Sequence, residues 1–230
     1  MHTAPTSILL LLLACWAAGA CADQSPTTLM VRQADSANGN GQTQLVDTYL
    51  HDPIRVVVTE GGTPKAGVSI VWETSGQGAT VGQSTLSDQD GMAQTFWKLP
   101  NTAGPQVATA TVSGAAGSPV TFVATALPGP PSRILIESGD GQNQTSGLVF
   151  TEPLAVRVTD RLSNRVAQVP VQWQLTTGSV ILDAAVTNSG TDGIAEVELT
   201  AGYVAGAATV TAALAGGSPS VVFHLTVVPP

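Results

Sequence analysis

The chain carries the same pattern twice, about a hundred residues apart. Each copy has, in the same order, an acidic residue followed by proline, a tryptophan, an Asp-Gly pair and a Gly-Ser-Pro segment. These landmarks are Asp52-Pro53, Trp72, Asp90-Gly91 and Gly117-Ser118-Pro119 in the first copy, and Glu152-Pro153, Trp173, Asp192-Gly193 and Gly217-Ser218-Pro219 in the second. A repeat of this length is a whole small domain rather than one turn of a solenoid. The chain is therefore expected to fold as two similar domains in tandem.

Within each copy the apolar residues alternate with their neighbours along short segments. Ile70 and Trp72 in the first copy, and Val171 and Trp173 in the second, fall on one face of such a segment. A period of two is typical of a β-strand with one buried face, so Trp72 and Trp173 are expected to fill the core between two sheets. Only 10% of the residues are charged, and Gly, Thr, Val and Ala are abundant, which favours short strands and tight turns. We predict an all-β fold with two tandem immunoglobulin-like β-sandwich domains, each of roughly seven strands.

An apolar leader precedes the repeats. Its apolar run, residues 8–18, is too short to span a membrane comfortably and is followed by small residues, which predicts a signal peptide. Ala18-Gly19-Ala20-Cys21 is similar to the lipobox of bacterial lipoproteins, and this resemblance implies that Cys21 is acylated and attaches the protein to a membrane. Two alternatives remain: a lipobox that ends at Cys15, and a cut after Ala20 that leaves Cys21 unmodified. Because both cysteines lie in or at the end of the leader, the repeats contain no disulfide.

The landmarks divide the chain into five segments. We expect a signal peptide over residues 1–20, a polar tether over 21–27, a first Ig-like domain over 28–127 and a second over 132–230. A short linker, residues 128–131, joins the two domains and is rich in proline, as are stiff linkers in general.

The second copy also carries a recognisable sequence pattern. It reads Val158-Thr159-Asp160, then Asn164-Arg165-Val166, then Trp173 and Thr191-Asp192-Gly193. This pattern resembles that of the group 1 bacterial Ig-like domains, the invasin and intimin type, over residues 131–230. The first copy has residues 60–68 in place of the Thr-Asp…Asn pattern, and we expect the same fold there with a remodelled loop. The resemblance implies rigid spacers or adhesive modules on a bacterial surface.

The sequence gives no support to several other functions. Eight Lys and Arg against sixteen Asp and Glu leave no basic surface for nucleic acid. Catalytic and metal-binding motifs are absent from the sequence, so we predict no enzyme activity, no cofactor and no metal site. The stretch Ser36 to Asp47 matches a calcium loop only in part, and a polar loop is the favoured interpretation.

The predicted function is a non-enzymatic Ig-like spacer or adhesion module of the cell envelope or surface, held by a lipid on Cys21. We expect an exported protein, an outer-membrane or cell-surface lipoprotein, with periplasmic or secreted locations as alternatives. The alternative function is a secreted or periplasmic module that binds a carbohydrate or a protein through its loops. The partner is thus an unknown protein or glycan. Phe96 falls where the second copy has Glu198, on the outward face, and is predicted to be shielded by the neighbouring domain or to belong to a contact patch.

Overall fold

The computed structural model describes residues 28–230. The predicted signal peptide, the tether and Cys21 lie outside the described residues. The strands of the N-terminal half are β1 (Leu29–Gln33), β2 (Gln42–Leu45), β3 (Ile54–Glu60), β4 (Thr63–Pro64), β5 (Ser69–Thr74), β6 (Thr80–Val81), β7 (Ser84–Leu86), β8 (Met92–Thr95), β9 (Trp97–Lys98), β10 (Gly104–Thr111) and β11 (Val120–Leu127). Those of the C-terminal half are β12 (Arg133–Ser138), β13 (Asn143–Thr145), β14 (Leu154–Thr159), β15 (Pro170–Thr177), β16 (Val180–Leu182), β17 (Val186–Asn188), β18 (Ile194–Val197), β19 (Leu199–Ala201), β20 (Gly206–Leu214) and β21 (Ser220–Val228).

The two halves have the same sheet topology, except that β4 has no counterpart among the described strands of the C-terminal half. In the N-terminal half one sheet has the order β1-β3-β4, with β8 also paired to β3, and the second has the order β2-β11-β10-β5-β7. The C-terminal half repeats this with β12-β14-β18 and β13-β21-β20-β15-β17. Short pairs, β6 with β9 and β16 with β19, lie at one end of each half. The prediction of an all-β fold of two tandem Ig-like sandwiches is confirmed, although it left out the shortest strands, since two or three residues give no periodic signal.

Each half has its own apolar core, built from the inward faces of these strands. In β3 the residues Ile54, Val56 and Val58 are fully buried, and the residues between them are partly exposed. Trp72 is 3% exposed and packs against Phe122, with ring centroids 6.2 Å apart; Trp173 is 4% exposed and lies 5.9 Å from Phe223. The indole N–H of Trp72 donates to Thr85 Oγ1 at 2.8 Å, and that of Trp173 donates to Thr187 Oγ1 at 2.8 Å. Each of these hydrogen bonds replaces the one to water that the indole N–H loses on burial.

The Asp-Gly pairs form the turns that lead into β8 and β18. Gly91 has φ of 70°, and its carbonyl accepts a hydrogen bond from Val58 N at 2.8 Å. A Cβ atom at this position would lie 2.3 Å from Val58 O. Glycine is therefore required both by the left-handed backbone and by the close approach of β3.

The loop after β3 differs between the halves. In the N-terminal half, Gly61 and Gly62 both have positive φ and connect β3 to β4 in a tight hairpin, as expected for a two-residue turn that follows the strand twist. In the C-terminal half the corresponding segment is a wider loop, residues 160–165, which is described below. In residues 28–230 there is no helix with the length and hydropathy needed to cross a membrane.

Candidate functional site: the joint between the sandwiches

The two sandwiches meet at a surface that we call the joint. It is formed by residues 45–48 and 101–103 of the N-terminal sandwich, and by the linker with residues 160–165 of the C-terminal sandwich. The centre of the joint is Asp160, which follows β14 and is 1% exposed. Its Oδ1 accepts hydrogen bonds from the backbone N–H groups of Leu162 and Asn164, at 2.8 and 2.9 Å. Its Oδ2 accepts one from Gly129 N at 2.8 Å and one from Asn164 Nδ2 at 2.9 Å.

These four donors explain the ionisation of Asp160. Burial opposes the charged carboxylate and by itself would raise the pKa. The hydrogen bonds from Asn164, from Gly129 N and from Leu162 N favour the charged form and outweigh burial, so the pKa of Asp160 lies below its ordinary value. The carboxylate thus holds the linker and the loop 160–165 in one conformation.

Asn164 connects this loop to the N-terminal sandwich. Its Nδ2 donates to the carbonyl of Asn101 at 2.8 Å, and its Oδ1 accepts from Ala103 N at 2.8 Å. Leu162, two residues earlier, packs against the apolar core of the N-terminal sandwich. One amide side chain therefore pairs with two backbone groups of the neighbouring sandwich, and an adjacent leucine excludes water from the contact.

A charged cluster lies at the rim of the joint. Asp47 Oδ1 lies 2.6 Å from Lys98 Nζ, within the N-terminal sandwich, and Asp47 Oδ2 lies 3.0 Å from an Nη atom of Arg161 across the joint. Lys98 is the main cause of the lowered pKa of Asp47; burial opposes it in part, and Arg161 adds a smaller lowering effect. The Arg161 side chain is 73% exposed, so its pair with Asp47 is screened by solvent and contributes little to stability.

A cleft of about 310 Å³ opens beside the linker. Its walls are Leu45, Val46 and Thr48 on one side and the linker with Leu162 on the other. The proline-rich linker lies along this cleft, with Gly129 fixed by Asp160, as described above. The joint thus has a short stiff connection, an amide contact and an apolar contact, which together oppose bending between the sandwiches.

The N-terminal sandwich lacks the equivalent of the Asp160 and Asn164 pair. At the corresponding place the hairpin of β3 and β4 carries an ion pair, with Lys65 Nζ 2.6 Å from Glu60 Oε2. Among the described residues, no other sandwich lies against this hairpin.

The structure places the sequence-predicted residues apart from the joint. Trp72 and Trp173 are in the two cores, and Phe96 is 56% exposed between β8 and β9, so the neighbouring sandwich does not shield it. Cys21 lies outside the described residues. Sequence reasoning singled out Asp160 and Asn164 only as part of a family pattern and missed that Asn164 bonds across the joint.

Two asparagines of the Ser36 to Asp47 stretch pair with backbone groups: Asn38 Oδ1 accepts from Asn40 N at 3.0 Å, and Asn40 Oδ1 accepts from Val123 N at 2.8 Å. Within residues 28–230, no group of three or more His, Cys, Asp or Glu side chains is placed to hold a metal ion.

No protein-family model matches the chain, and no curated protein matches it. Solved structures do match. InvD of Yersinia pseudotuberculosis aligns with a TM-score of 0.54 at 15% identity, over 89% of this chain and 58% of the InvD chain. The D00-D0 domains of intimin align with a TM-score of 0.42 at 19% identity, over 87% of this chain and 99% of theirs. Invasin, an integrin-binding protein, aligns with a TM-score of 0.42 at 22% identity, over 88% of this chain and 39% of its own.

The likeness to InvD identifies the class of fold. The chain has the bacterial Ig-like fold of the invasin and intimin type, in two tandem copies, as the pattern around Asp160 and Trp173 predicts. This chain spans little more than half of the InvD chain.

Proposed function

We propose that the chain is a non-enzymatic spacer or adhesion module of the cell envelope or cell surface, exported and held to a membrane by a lipid on Cys21. The observation that carries the proposal is the joint. A spacer needs a fixed angle between its domains to hold its two ends at a set distance. Asn164 and Leu162 oppose bending between the sandwiches, as a spacer requires.

The stiffness of the joint is tested by measuring distances between the sandwiches. Spin labels on Gln89→Cys and Asp183→Cys, in a chain whose Cys15 and Cys21 are serine, report one distance between the two halves by pulsed electron paramagnetic resonance. We expect a narrow distribution in the parent chain. Asn164→Ala removes both contacts to Asn101 and Ala103, and should widen the distribution by about twofold or more, because domains with small interfaces move freely.

Asn188→Ala is the matched control, since Asn188 is an exposed amide on β17 away from the joint. It should leave the distance distribution unchanged. A parent chain whose distribution is as broad as that of Asn164→Ala would remove the basis for a spacer.

Anchoring and location need a separate experiment. Native cells, intact and then permeabilised, are labelled with an antibody against residues 131–230, in parallel with cells that carry Cys21→Ser. Labelling of intact cells that is lost or shed in Cys21→Ser is the expected result. Labelling that requires permeabilisation would place the module inside the envelope and contradict adhesion, and unchanged surface retention of Cys21→Ser would contradict the lipid anchor.

A further inference from the structure

The end of the C-terminal sandwich that corresponds to the joint is exposed and apolar. Matching hydrogen bonds establish the correspondence. Asp47 N donates to Pro100 O and Asn101 N to Gln77 O in the N-terminal sandwich; Gly147 N donates to Ala201 O and Gly202 N to Ser179 O in the C-terminal one. Residues 145–149 and 202–205 are thus the counterparts of the joint residues 45–48 and 101–103. We call this end the distal pole, with the exposed apolar residues Leu148, Val149, Ile181, Tyr203 and Val204.

The apolar residues of the distal pole are close together. Ile181 pairs with Thr200 and Thr200 with Val149, so that Ile181 and Val149 flank Thr200 in a row across neighbouring strands. The ring of Tyr203 lies within 3.5 Å of the position of a Cβ on Gly147, next to Leu148. Tyr203 is 85% exposed and Val204 is 70% exposed. A cluster of this kind is uncommon on a soluble protein and indicates an interaction surface.

The distal pole has lost the charged groups of the joint. Asp47 is replaced by Gly147, and Lys98 by Thr200, at positions with the same hydrogen-bond and strand partners. The segment between Asn101 and Gly104 has two residues, whereas that between Gly202 and Gly206 has three, Tyr203 to Ala205. A loop like 160–165 would find no carboxylate for its arginine here and would meet a longer, bulkier segment. The pole is therefore not a second copy of the joint.

The charge of the distal pole also indicates which kind of partner it can bind. No Asp, Glu, Lys or Arg occurs from Leu199 to Phe223 or from Thr145 to Thr151, and the charges at the rim, Glu152 and Glu198 beside Val149, are acidic. A surface that binds anionic lipids carries Lys or Arg around its apolar residues, and this one does not. An uncharged apolar surface is, by contrast, complementary to itself, and a two-fold axis brings identical patches together.

We propose that the distal pole is the surface through which two copies of this chain associate end to end. The same end of the N-terminal sandwich is already a protein contact, so this end of the fold can bury protein surface, here with different side chains. Five apolar side chains make a small interface, so we expect a weak dimer with a Kd of about 10–100 μM. Chains concentrated on a membrane would gain from many such contacts at once. The proposal concerns the contact itself and does not require the lipid anchor.

Sedimentation equilibrium of the full chain carrying Cys21→Ser, at concentrations up to about 300 μM, tests the proposal without an acyl chain that could cause association. We expect a reversible dimer. The double variant Tyr203→Lys/Val204→Lys should weaken it at least about tenfold, since burying two ammonium groups per chain against each other is unfavourable. Because the rim is acidic, raising the salt from about 50 to 500 mM should strengthen the dimer, whereas a contact made of ion pairs would weaken.

The matched control is Leu86→Lys/Phe96→Lys, which places two lysines on exposed apolar positions of the N-terminal sandwich. It should dimerise as the parent does. If circular dichroism shows that the lysine pair prevents folding, Ile181→Ser serves as a milder variant of the pole. It should also weaken the dimer. A monomeric parent, or a dimer lost only in the control, would overturn the proposal. Flotation of the parent with phosphatidylcholine vesicles, abolished by the lysine pair, would overturn it in favour of a lipid surface.

Discussion

At the scale of single residues, Asp160 has the largest set of contacts in the joint. Four donors converge on its buried carboxylate, so replacing it by asparagine puts an amide N–H₂ opposite one or more of those donors and removes the charge. We expect Asp160→Asn to lower the free energy of unfolding of the C-terminal sandwich by about 2–4 kcal/mol, the cost of losing hydrogen bonds to a charged group and leaving buried donors unpaired. Urea unfolding at pH 7 measures it, and Asp183→Asn, an exposed carboxylate on a loop, should show no such loss.

The same carboxylate predicts a dependence on pH. The pKa of Asp160 is lowered in the folded state, so its contribution to stability is complete above the unfolded value of about 3.9 and is lost as the pH falls through the folded pKa. Unfolding curves should be insensitive to Asp160 ionisation between pH 7 and about 5, and the parent should lose stability below about pH 4 more steeply than Asp160→Asn. Parallel pH profiles for the parent and Asp160→Asn would show that the carboxylate is not stabilised by its donors.

At the scale of the elements, two turn glycines, Gly91 and Gly114, allow the cost of backbone strain to be distinguished from the cost of a steric clash. Gly91 and Gly114 have nearly the same φ, 70° and 71°. A Cβ at Gly91 meets Val58 O at 2.3 Å, whereas a Cβ at Gly114 has open space around it. Gly114→Ala should cost about 1–2 kcal/mol, the left-handed backbone alone, and Gly91→Ala at least about 2 kcal/mol more, because β3 and β8 must move apart. Thermal or urea unfolding of both variants measures this difference in stability. Equal losses of stability would mean that β3 moves away from a Cβ at residue 91 at little cost.

The strands and turns illustrate what the sequence can and cannot predict. Some features depend only on residues that are neighbours in sequence, and periodicity with local backbone chemistry predicts them. These are the alternation in β3, the buried face that carries Trp72 and the Asp-Gly turn at Gly91. The contact of Asn164 with Asn101 and Ala103 joins segments about sixty residues apart, and no local pattern records it. The apolar pole was missed for a related reason: the exposed position of Tyr203 depends on one extra residue in a loop, which strand periodicity does not detect.

At the scale of the whole molecule, the two sandwiches have separate cores and touch through the joint, so the shape of the chain depends on a few contacts. The joint offers two kinds: the amide and leucine contacts of Asn164 and Leu162, and the exposed pair of Arg161 with Asp47. Exposed pairs are screened by salt and lose side-chain entropy on pairing. The partly buried hydrogen bonds of Asn164 to backbone groups are screened less, and leaving their partners unpaired is costly. The angle between the sandwiches should therefore be set by Asn164 and Leu162 and not by Arg161.

This conclusion predicts how the shape responds to salt. In small-angle X-ray scattering extrapolated to zero protein concentration, where the proposed dimer dissociates, the maximum dimension and the radius of gyration of the Cys21→Ser chain should not change between about 50 and 500 mM salt, even though the Debye length falls to a few ångströms. Arg161→Ala should give the same curves as the parent at both salt concentrations. Asn164→Ala should give a smaller and more variable molecule at both, because bending brings the two ends closer together. If salt or Arg161→Ala had the effect expected of Asn164→Ala, the joint would be electrostatic, and the stiffness of the chain would depend on its ionic surroundings instead of on a fixed contact.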